Sequence, residues 1–254
     1  MNSLDVEEVV RYWDELYKNF DPYRKVDGDL YLSDENPGLC KKDILIVACG
    51  TGEHVVRAAR AGARVCAVDI SSQAVENARM MISANKLDAR FVVADACNTG
   101  LPDQSFDIIW GSTVLHHLEH ERAVAELCRL IRPNGVVLFV SEPTFYNPVL
   151  KWAYETAFGR GRNGRRRKFL FFRRRGDDFE KPIERREIEL YKNTFFVREV
   201  PHGFIFLGKL AHVTSKSASV HNAFRIIDNL ILKCFPCLIK YSYEYDFIFS
   251  PKNR

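Results

Sequence analysis

The stretch of residues 44–71, ILIVACGTGEHVVRAARAGARVCAVDIS, decides the fold class of this protein. It begins with an apolar run of buried-strand length, turns at Gly50 and Gly52, continues through a helical segment, and ends in a second apolar run that finishes at Asp69. A strand, a helix and a second strand in this order predict a βαβ unit, in which the strands are parallel and the crossover is right-handed.

The alternation of strands and helices continues on the C-terminal side of this stretch. The sequence predicts strands at 43–49, 63–70, 89–96, 105–112 and 134–143, separated by helices at 53–62, 71–87 and 119–131. Strands that alternate with helices of this length form a parallel α/β sheet with helices on both faces. We therefore predict an α/β protein.

Both ends of the chain depart from this pattern. An N-terminal helix is predicted at 6–20, and its Tyr12, Trp13 and Tyr17 form either a lid over a ligand or an ordinary packing surface. The C-terminal part predicts a helix at 147–159, strands at 193–208 and 241–251, and an amphipathic helix or helical hairpin at 220–238. The predicted division is an N-terminal helix and lid at 1–39, a ligand-binding core at 40–145, and a substrate-recognition region with an insertion at 146–254 that completes the sheet.

Composition places the chain among ordinary globular proteins. It has 254 residues, of which 46% are hydrophobic and 28% are charged. The start, MNSLDVEEVV, has neither the basic nor the apolar region of a secretory signal, and no run of about 18 apolar residues predicts a membrane span. Seven scattered cysteines are typical of reduced thiols, so we expect a cytoplasmic location.

The net charge of +4 conceals a local excess of basic residues. Residues 159–175, GRGRNGRRRKFLFFRRR, contain nine Lys and Arg and no acidic residue, whereas the rest of the chain has 28 basic against 33 acidic residues. Such a run is either a solvated loop or a surface that contacts an anionic membrane through Arg160–Arg175, together with the amphipathic stretch 220–238. The second interpretation suits a lipid-linked substrate. Nucleic acid is a weaker alternative, because no RNA-binding module accompanies the run.

The glycine turn predicts the kind of ligand. A parallel sheet binds ligands beyond the carboxyl ends of its strands, where Gly50 and Gly52 allow close approach to the backbone. Asp69, at the end of the second strand, can accept hydrogen bonds from both hydroxyls of a ribose. A dinucleotide loop would have a third glycine where Glu53 stands, and a carboxylate there faces a pyrophosphate badly. The loop therefore favours a nucleoside without phosphates.

Several ordered motifs resemble those of the class I S-adenosylmethionine-dependent methyltransferases. They are ILIVACGTG, AVDIS, VVADACNTGLPDQSFDIIWGSTVLHHLEH and ELCRLIRPNGVVLFVSEP, and the resemblance covers residues 40–145 and, more loosely, the final strand. Within the family, the ubiquinone/menaquinone-biosynthesis type (methyltransferase domain 11/25-like) is the most similar group that we identify. The resemblance implies a Rossmann-like, doubly wound, seven-stranded sheet with an antiparallel last strand, S-adenosyl-L-methionine as cofactor, and methyl transfer to a small-molecule or lipid-linked metabolite, most plausibly at oxygen.

The resemblance also implies cofactor contacts. Carried onto this sequence, they fall on Ala48, Cys49, Gly50, Thr51, Gly52, Asp69, Ile70, Asp95, Ala96 and Ser112. Asp69 would hold the ribose, Ile70 would pack on the adenine, and Asp95 would accept from its amino group. Taken alone, Asp69 or Asp95 is also explained as a residue that forms the turn at the end of its strand. Ile46 stands where the family often has an acid, and Ala48 replaces its first glycine, which the loop tolerates if φ at Ala48 is negative.

Three residues are candidates for proton transfer. His116 and His117 follow the fourth strand, and relatives often have a histidine there beside the cofactor; an imidazole with its ordinary pKa of about 6.5 suits proton abstraction. Glu142, at the end of the fifth strand, is expected at the pocket mouth, where it would orient or deprotonate the substrate. A loop or helix-cap role explains the histidines equally. The order of His116, His117 and His120 does not match HExxH, so we predict no metal site.

Two classes of function remain open. WGST after the fourth strand differs from the (D/N/S)PP(Y/F) signature of enzymes that methylate nucleic-acid amino groups, which argues against that substrate. The first class is an active methyltransferase, which aligns its substrates for in-line transfer and need not have a strong general base. The second is a methyltransferase-like binding or scaffold protein without turnover.

Overall fold

A computed structural model describes residues 3–18, 21, 25–32, 38–158, 181–202 and 218–252. Its seven strands form one sheet in the order β3-β2-β1-β4-β5-β7-β6. The strands are β1 (Asp43–Val47), β2 (Arg64–Asp69), β3 (Arg90–Val93), β4 (Phe106–Ser112), β5 (Ile131–Pro143), β6 (Phe195–Pro201) and β7 (Glu244–Pro251). β1 to β5 pair in parallel, and β7 pairs antiparallel with both β5 and β6. The predicted Rossmann-like sheet with an antiparallel last strand is confirmed.

Helices connect the strands on both faces of the sheet. They are α1 (Ser3–Tyr17), α2 (Glu53–Arg60), α3 (Ser72–Ala84), α4 (His120–Leu130), α5 (Pro148–Phe158), α6 (Arg185–Lys192) and α7 (Ala218–Cys234), with 3-10 helices at Leu115–His117 and Pro236–Tyr241. Within the described ranges, no helix has the length and apolar content needed to cross a membrane. The basic run 159–175 lies outside the described residues.

Three boundaries differ from the sequence prediction for identifiable reasons. β5 begins at Ile131, whereas the sequence predicted a strand only after Pro133. The register of the β4–β5 pair shifts between Phe106 and Ile108, so no ladder hydrogen bond is required from the proline, which has no N–H. The helix predicted through residue 238 ends at Cys234, where Pro236 starts a 3-10 helix instead. α6 was not predicted, because only Ile188 and Tyr191 in its charged sequence are buried.

The sheet separates two hydrophobic cores. Leu45 and Val47 point to the face covered by α4 and α6, whereas Ile44 and Ile46 point to the face covered by α2 and α3. Trp110 of β4 is fully buried in the second core, and its indole N–H donates to the carbonyl of Tyr31 at 2.8 Å. This bond holds the segment 25–32 against the sheet.

The strand order places a binding crevice at one edge. Neighbours on either side of β1 are β2 and β4, so the winding of the sheet reverses at β1. Chains leaving β1 and β4 at such a point turn to opposite faces and leave a crevice beyond their carboxyl ends. The glycine turn follows β1, Asp69 ends β2, and His116 follows β4, so all three lie along this carboxyl edge.

Ala48 adopts a left-handed backbone conformation. Its φ is +51°, so the condition under which the loop tolerates alanine, a negative φ, is not met. The reason is that Cys49 still pairs with β2, its N–H donating to the carbonyl of Val68 at 3.0 Å, while the chain must already turn toward Gly50. An L-residue in this region is strained by roughly 1–2 kcal/mol.

We expect Ala48→Gly to raise the free energy of unfolding by about 0.5–1 kcal/mol, because the relief of strain exceeds the roughly 0.5–1 kcal/mol cost of added freedom in the unfolded chain. Equilibrium unfolding in urea measures the change. Ala61→Gly is the matched control: Ala61 is exposed and has φ −75°, so glycine there should lower the free energy of unfolding. Equal changes in both variants would show that residue 48 is unstrained.

A buried carboxylate joins α4 to the loop after β3. Glu126 accepts from the N–H and hydroxyl of Thr99 at 2.8 and 2.6 Å, and Arg129 donates to it at 2.8 and 2.9 Å. Burial alone would raise the pKa of Glu126, but the hydrogen bonds from Arg129 and Thr99 outweigh it and lower that pKa to about 2. The carboxylate therefore stabilises the fold when ionised.

We expect Glu126→Gln to cost about 1–2 kcal/mol of folding free energy at pH 7. The native pKa is lowered, so the stabilisation is complete above the ordinary value of 4.5 and is lost as pH falls toward about 2. The difference between the parent and the variant should therefore shrink between pH 5 and pH 2, as measured by urea unfolding at each pH. Glu121→Gln, at an exposed position on the same helix, should show only a small difference throughout.

Candidate active site

The glycine turn and the acid at the end of β2 form one hydrogen-bonded unit. Gly50, with φ +50°, donates its N–H to Oδ2 of Asp69 at 2.9 Å, and Ser71 donates its N–H to Oδ1 at 2.9 Å. Burial raises the pKa of Asp69, while these N–H groups oppose that effect. An ionised carboxylate has about four acceptor positions, so Asp69 keeps capacity for further donors. A pair of vicinal hydroxyls matches that capacity.

The two glycines of the turn serve different purposes. A Cβ at Gly52 would lie 2.8 Å from the Cα of Ala78, so the absence of a side chain lets α2 approach α3. A Cβ at Gly50 would lie 3.1 Å from the hydroxyl oxygen of Tyr17. The structure therefore gives Gly52 a packing role and leaves Gly50 as the residue whose missing side chain faces the crevice.

α1 lies across the crevice. Asp14 accepts hydrogen bonds from the hydroxyl of Ser71 and the N–H of Gln73, and Asn77 donates to the carbonyl of Tyr17 at 2.9 Å. Burial and the nearby Asp69 raise the pKa of Tyr17 well above its ordinary value. The helix is thus fastened to α3 with Tyr17 over the glycine turn, and a lid and an ordinary packing surface both stay predictions for it.

The remaining predicted cofactor residues lie along the same edge. Ala48, Cys49, Thr51 and Ile70 flank the unit of Gly50 and Asp69, while Asp95 and Ala96 follow β3 and Ser112 ends β4. The N–H of Ala94 donates to the carbonyl of Asp69 at 2.9 Å, which joins the ends of β2 and β3. Burial raises the pKa of the Cys49 thiol well above its ordinary value, so the thiol is uncharged.

Asp95 has structural partners of its own. Its Oδ1 accepts from the N–H of Cys97 at 2.8 Å, and its Oδ2 lies 3.0 Å from Arg122 on α4. Arg122 also pairs with Glu119 at 3.2 Å. The strand-end turn anticipated from the sequence is therefore present, and a ligand at Asp95 would share the carboxylate with Arg122.

Glu142 lies in a different place from the one expected. It is fully buried beneath the loop after β4, where Oε1 accepts from the N–H groups of Val114 and Leu115 at 2.8 and 2.9 Å. The expectation that its side chain would stand at the pocket mouth was wrong, because the loop folds back over β5 and its unpaired N–H groups need an acceptor. Glu142 acts on the site through the residues it holds.

One of the residues that Glu142 holds is His116. The Nδ1 atom of His116 lies 2.8 Å from Oε2 of Glu142, and the imidazole is almost fully buried. A carboxylate only accepts, so the proton of a neutral imidazole is placed on Nδ1 and Nε2 becomes the acceptor. His116 and Glu142 thus have the arrangement of a proton-accepting dyad.

The other two histidines have separate surroundings. The ring of His117 lies 4.1 Å from that of His116 and meets Trp13 of α1 edge-on at 5.5 Å. His120 contacts the hydroxyl of Tyr191 at 3.1 Å, on the side of the sheet covered by α6. Burial lowers the pKa of His120, although the nearby Glu187 opposes this. Among the residues that the structure describes, His116 pairs with a carboxylate at the carboxyl edge.

A third buried carboxylate at this edge was missed in the sequence analysis. Asp246 of β7 accepts from the N–H of Ser141 at 2.9 Å and from the hydroxyl of Tyr31 at 3.1 Å, and it pairs with His202. Ser141 has φ +56° at an irregularity in the β5–β7 pairing. The available signal was an acid inside the apolar strand YDFIF, since a buried charge requires partners.

Comparison with known proteins identifies the central part of the chain. Residues 45–139 match the family model described as a methyltransferase domain. The 27-O-demethylrifamycin SV methyltransferase of Amycolatopsis mediterranei (strain S699) is 34% identical over 96 residues, covering 36% of this chain and 35% of that protein. The ubiquinone biosynthesis O-methyltransferase of Thiobacillus denitrificans (strain ATCC 25259 / T1) is 28% identical over 149 residues, covering 55% and 64%. The chain thus spans less than two thirds of these relatives.

Solved structures show the same fold. The PH0226 protein from Pyrococcus horikoshii OT3 aligns with a TM-score of 0.56 at 19% identity, covering 94% of this chain and 99% of that one. A geranyl diphosphate C-methyltransferase from Streptomyces coelicolor A3(2) aligns with a TM-score of 0.54 at 15% identity, covering 98% of each chain. The [4+2]-cyclase SpnF aligns with a TM-score of 0.51 at 16% identity, covering 84% and 76%.

We expect Asp69→Ala to weaken the binding of S-adenosylmethionine at least about tenfold, because a hydrogen bond to a charged group is worth about 1.5–3 kcal/mol. Isothermal titration calorimetry measures the affinity. Circular dichroism checks that the variant is still folded when Asp69 no longer holds the loop. Asp103→Ala, an exposed acid at the opposite edge of the sheet, is the matched control and should bind normally. Unchanged affinity in the Asp69 variant would remove this residue from the site.

Proposed function

Because residues 45–139 match a methyltransferase domain, we propose that the chain is an S-adenosylmethionine-dependent methyltransferase that transfers a methyl group to an oxygen atom of a small-molecule or lipid-linked acceptor. The observation that carries the proposal is the dyad of His116 and Glu142 at the carboxyl edge. The name of the ubiquinone biosynthesis O-methyltransferase supports oxygen as the methylated atom.

The residues at the carboxyl edge fit the cofactor. Asp69 has acceptor capacity for the ribose hydroxyls, and the turn at Gly50 exposes backbone without a side chain on the crevice side. Ile70 and Ala96 are half-buried at the ends of their strands and offer apolar surface to the adenine. When bound, S-adenosylmethionine supplies an electrophilic methyl group on a positively charged sulfur.

His116 is the proposed general base. Its Nε2 accepts the proton of the acceptor hydroxyl, and the oxygen lone pair is then available for the new bond to carbon. The carboxylate of Glu142 accepts from Nδ1 throughout and stabilises the imidazolium that forms, 2.8 Å away. General-base assistance of this kind typically contributes about 10²- to 10⁴-fold.

Glu142 is a positioning residue in this scheme. It bonds to the N–H groups of Val114 and Leu115 as well as to the imidazole, so the loop and the base are fixed together. A base held in one rotamer by hydrogen bonds loses little further freedom when the acceptor binds. Trp13 and Tyr17 of α1 cover the same region and would restrict water when the acceptor is in place.

A second function is favoured by one specific observation. Ala48 is strained at φ +51° in the cofactor loop, and the SpnF cyclase shows that the fold also serves a different reaction. A methyltransferase-like binding protein without turnover would bind S-adenosylmethionine and form no methylated product. Product formation therefore discriminates between the two functions, whereas cofactor affinity does not.

The proposal extends to the regions at both ends of the domain. We assign residues 1–39 to a lid and 146–254 to acceptor recognition, around a cofactor-binding core at 40–145 that contains the matched domain. A cytoplasmic location with peripheral contact to an anionic membrane through Arg160–Arg175 belongs to the same proposal, and that basic run lies outside the described residues.

Methyl transfer is tested by incubating the purified chain with isotopically labelled S-adenosylmethionine and fractionated extracts, including lipid fractions, followed by mass spectrometry of the labelled product. A labelled O-methyl product that requires intact Asp69 supports the proposal. Cofactor binding without any labelled product across all fractions would favour the binding-protein alternative.

With the acceptor found in this way, we expect His116→Ala to lower kcat about 10²-fold or more while the affinity for S-adenosylmethionine is unchanged. The variant His117→Ala is the matched control, because the ring of His117 lies against Trp13 and it is His116 that bonds to Glu142. The kcat of this variant should fall only a few-fold. The opposite ranking would assign the base to His117, as the sequence alone also permitted.

The variant Glu142→Gln distinguishes a role of Glu142 in positioning His116 from a role in protein stability alone. The imidazolium loses its anionic partner, so the acid limb of the pH–kcat profile should move to lower pH with little change in KM. A uniform loss of folded protein, with an unshifted pH profile in the remainder, would limit Glu142 to a structural role.

A further inference from the structure

The insertion between β6 and β7 exposes an apolar surface. Among the described elements, α7 packs chiefly against the 3-10 helix that follows it, Pro236–Tyr241. Ile226 and Leu230, one helical turn apart, are 58% and 53% exposed, and Phe235 and Ile239 beyond the helix end are 60% and 41% exposed. Large apolar side chains aligned on an exposed face mark a site of association.

The exposed charged residues of segment 218–241 have one sign. Arg225, Lys233 and Lys240 are exposed, whereas Asp228, the one acid in 218–241, is buried. An apolar stripe bordered by cations is the pattern of a helix that lies in the interface of an anionic bilayer, with its apolar side chains among the acyl chains and its cations at the headgroups. A protein partner of this chemistry would need an acidic apolar groove, which is a narrower requirement.

The surface is joined to the edge of the sheet at which the candidate active site lies. The 3-10 helix leads into the first residue of β7, Glu244, which pairs with Pro143 at the carboxyl end of β5. Thr144 fastens the junction, its N–H donating to the carbonyl of Tyr243 at 2.7 Å. The exposed helix α5 also starts at this edge, and its Trp152 is 68% exposed. Tryptophan is the residue that settles at the boundary between lipid and water.

We propose that Ile226, Leu230, Phe235 and Ile239, with Arg225, Lys233 and Lys240, form a docking face that binds the surface of an anionic lipid bilayer. Bound in this way, the protein turns the carboxyl edge of its sheet toward the membrane. An amphiphilic acceptor then reaches His116 from the bilayer. That last statement rests on the proposed methyl transfer, whereas the docking face itself does not.

Vesicle co-sedimentation tests the docking face without any turnover. The probes are vesicles of phosphatidylcholine alone and of phosphatidylcholine with 30–40% phosphatidylglycerol, each at about 50 and 500 mM salt. The full chain should bind the anionic vesicles, and less at high salt, because the screening length of exposed charges falls from about 14 Å at about 50 mM to about 4 Å at about 500 mM. Equal binding to both lipids at both salt concentrations would contradict the role of the cations.

Matched variants locate the surface. Phe235→Ser should weaken binding to anionic vesicles at least about fivefold, and Ile226→Ser with Leu230→Ser at least about tenfold, because each removes side chains buried in the interface. Phe196→Ser is the control: this phenylalanine is 66% exposed at the amino end of β6, on the opposite edge. Its binding should match that of the parent protein.

The cations have a control of their own. Lys233→Gln with Lys240→Gln should weaken binding about fivefold for each charge removed. Lys41→Gln with Lys86→Gln, at exposed positions before β1 and β3, should have little effect. If the docking-face and control variants bind equally well, the basic run 159–175 alone carries the attraction and the docking face is refuted.

Self-association is the remaining outcome. Sedimentation equilibrium would then show a dimer that Phe235→Ser dissociates, together with no binding to either vesicle, and the face would be an interface between two copies of the chain. Vesicle binding without methyl transfer would refute the proposed function and leave the docking face standing. Methyl transfer without vesicle binding would refute the docking face and leave the proposed function standing.

Discussion

At the carboxyl edge of the sheet, backbone N–H groups in the loops have no strand partner, and the carboxylates of Asp69, Glu142 and Asp246 accept hydrogen bonds from them. Each carboxylate is buried, and each fixes a different connection: the turn after β1, the loop after β4, and the irregularity in β5. A buried N–H without an acceptor costs about 1–3 kcal/mol, so the loops and the acids depend on each other.

This arrangement explains how one edge serves both stability and chemistry. The carboxylates that hold the loops also position the groups of the proposed site, so these groups are in place before any ligand arrives. Glu142 shows the connection most directly, because the carboxylate that ties down Val114 and Leu115 also holds the imidazole of His116. Preorganisation of this kind removes an entropic cost from the reaction step.

The parts of the chain outside the sheet determine access to this edge. α1 lies over the turn through Tyr17, and segment 25–32 is held by the indole of Trp110 and the carboxylate of Asp246. Among the described elements, α7 and the 3-10 helix that follows it pack chiefly on each other and expose apolar side chains. In the proposed docking, the acceptor therefore approaches the edge from the side of α7.

The sequence by itself determined the features that depend on local pattern. Apolar runs alternating with helical segments specify the parallel sheet, and the position of Asp69 nineteen residues after Gly50 specifies the binding edge, because strand ends in a parallel sheet coincide. The left-handed φ of Ala48 was not predictable, since residue type alone favours negative φ and only the continued pairing of Cys49 with β2 forces the turn.

Only the tertiary structure decided the partners of the buried charges. The pattern LHH treats His116 and His117 alike, and the choice between them depends on Glu142, 26 residues away on another strand. Asp95 meets Arg122 across 27 residues, and Asp246 meets Tyr31 across 215. Such contacts are set by how strands and loops pack in space, and the cost of an unpaired buried charge then selects which side chains meet.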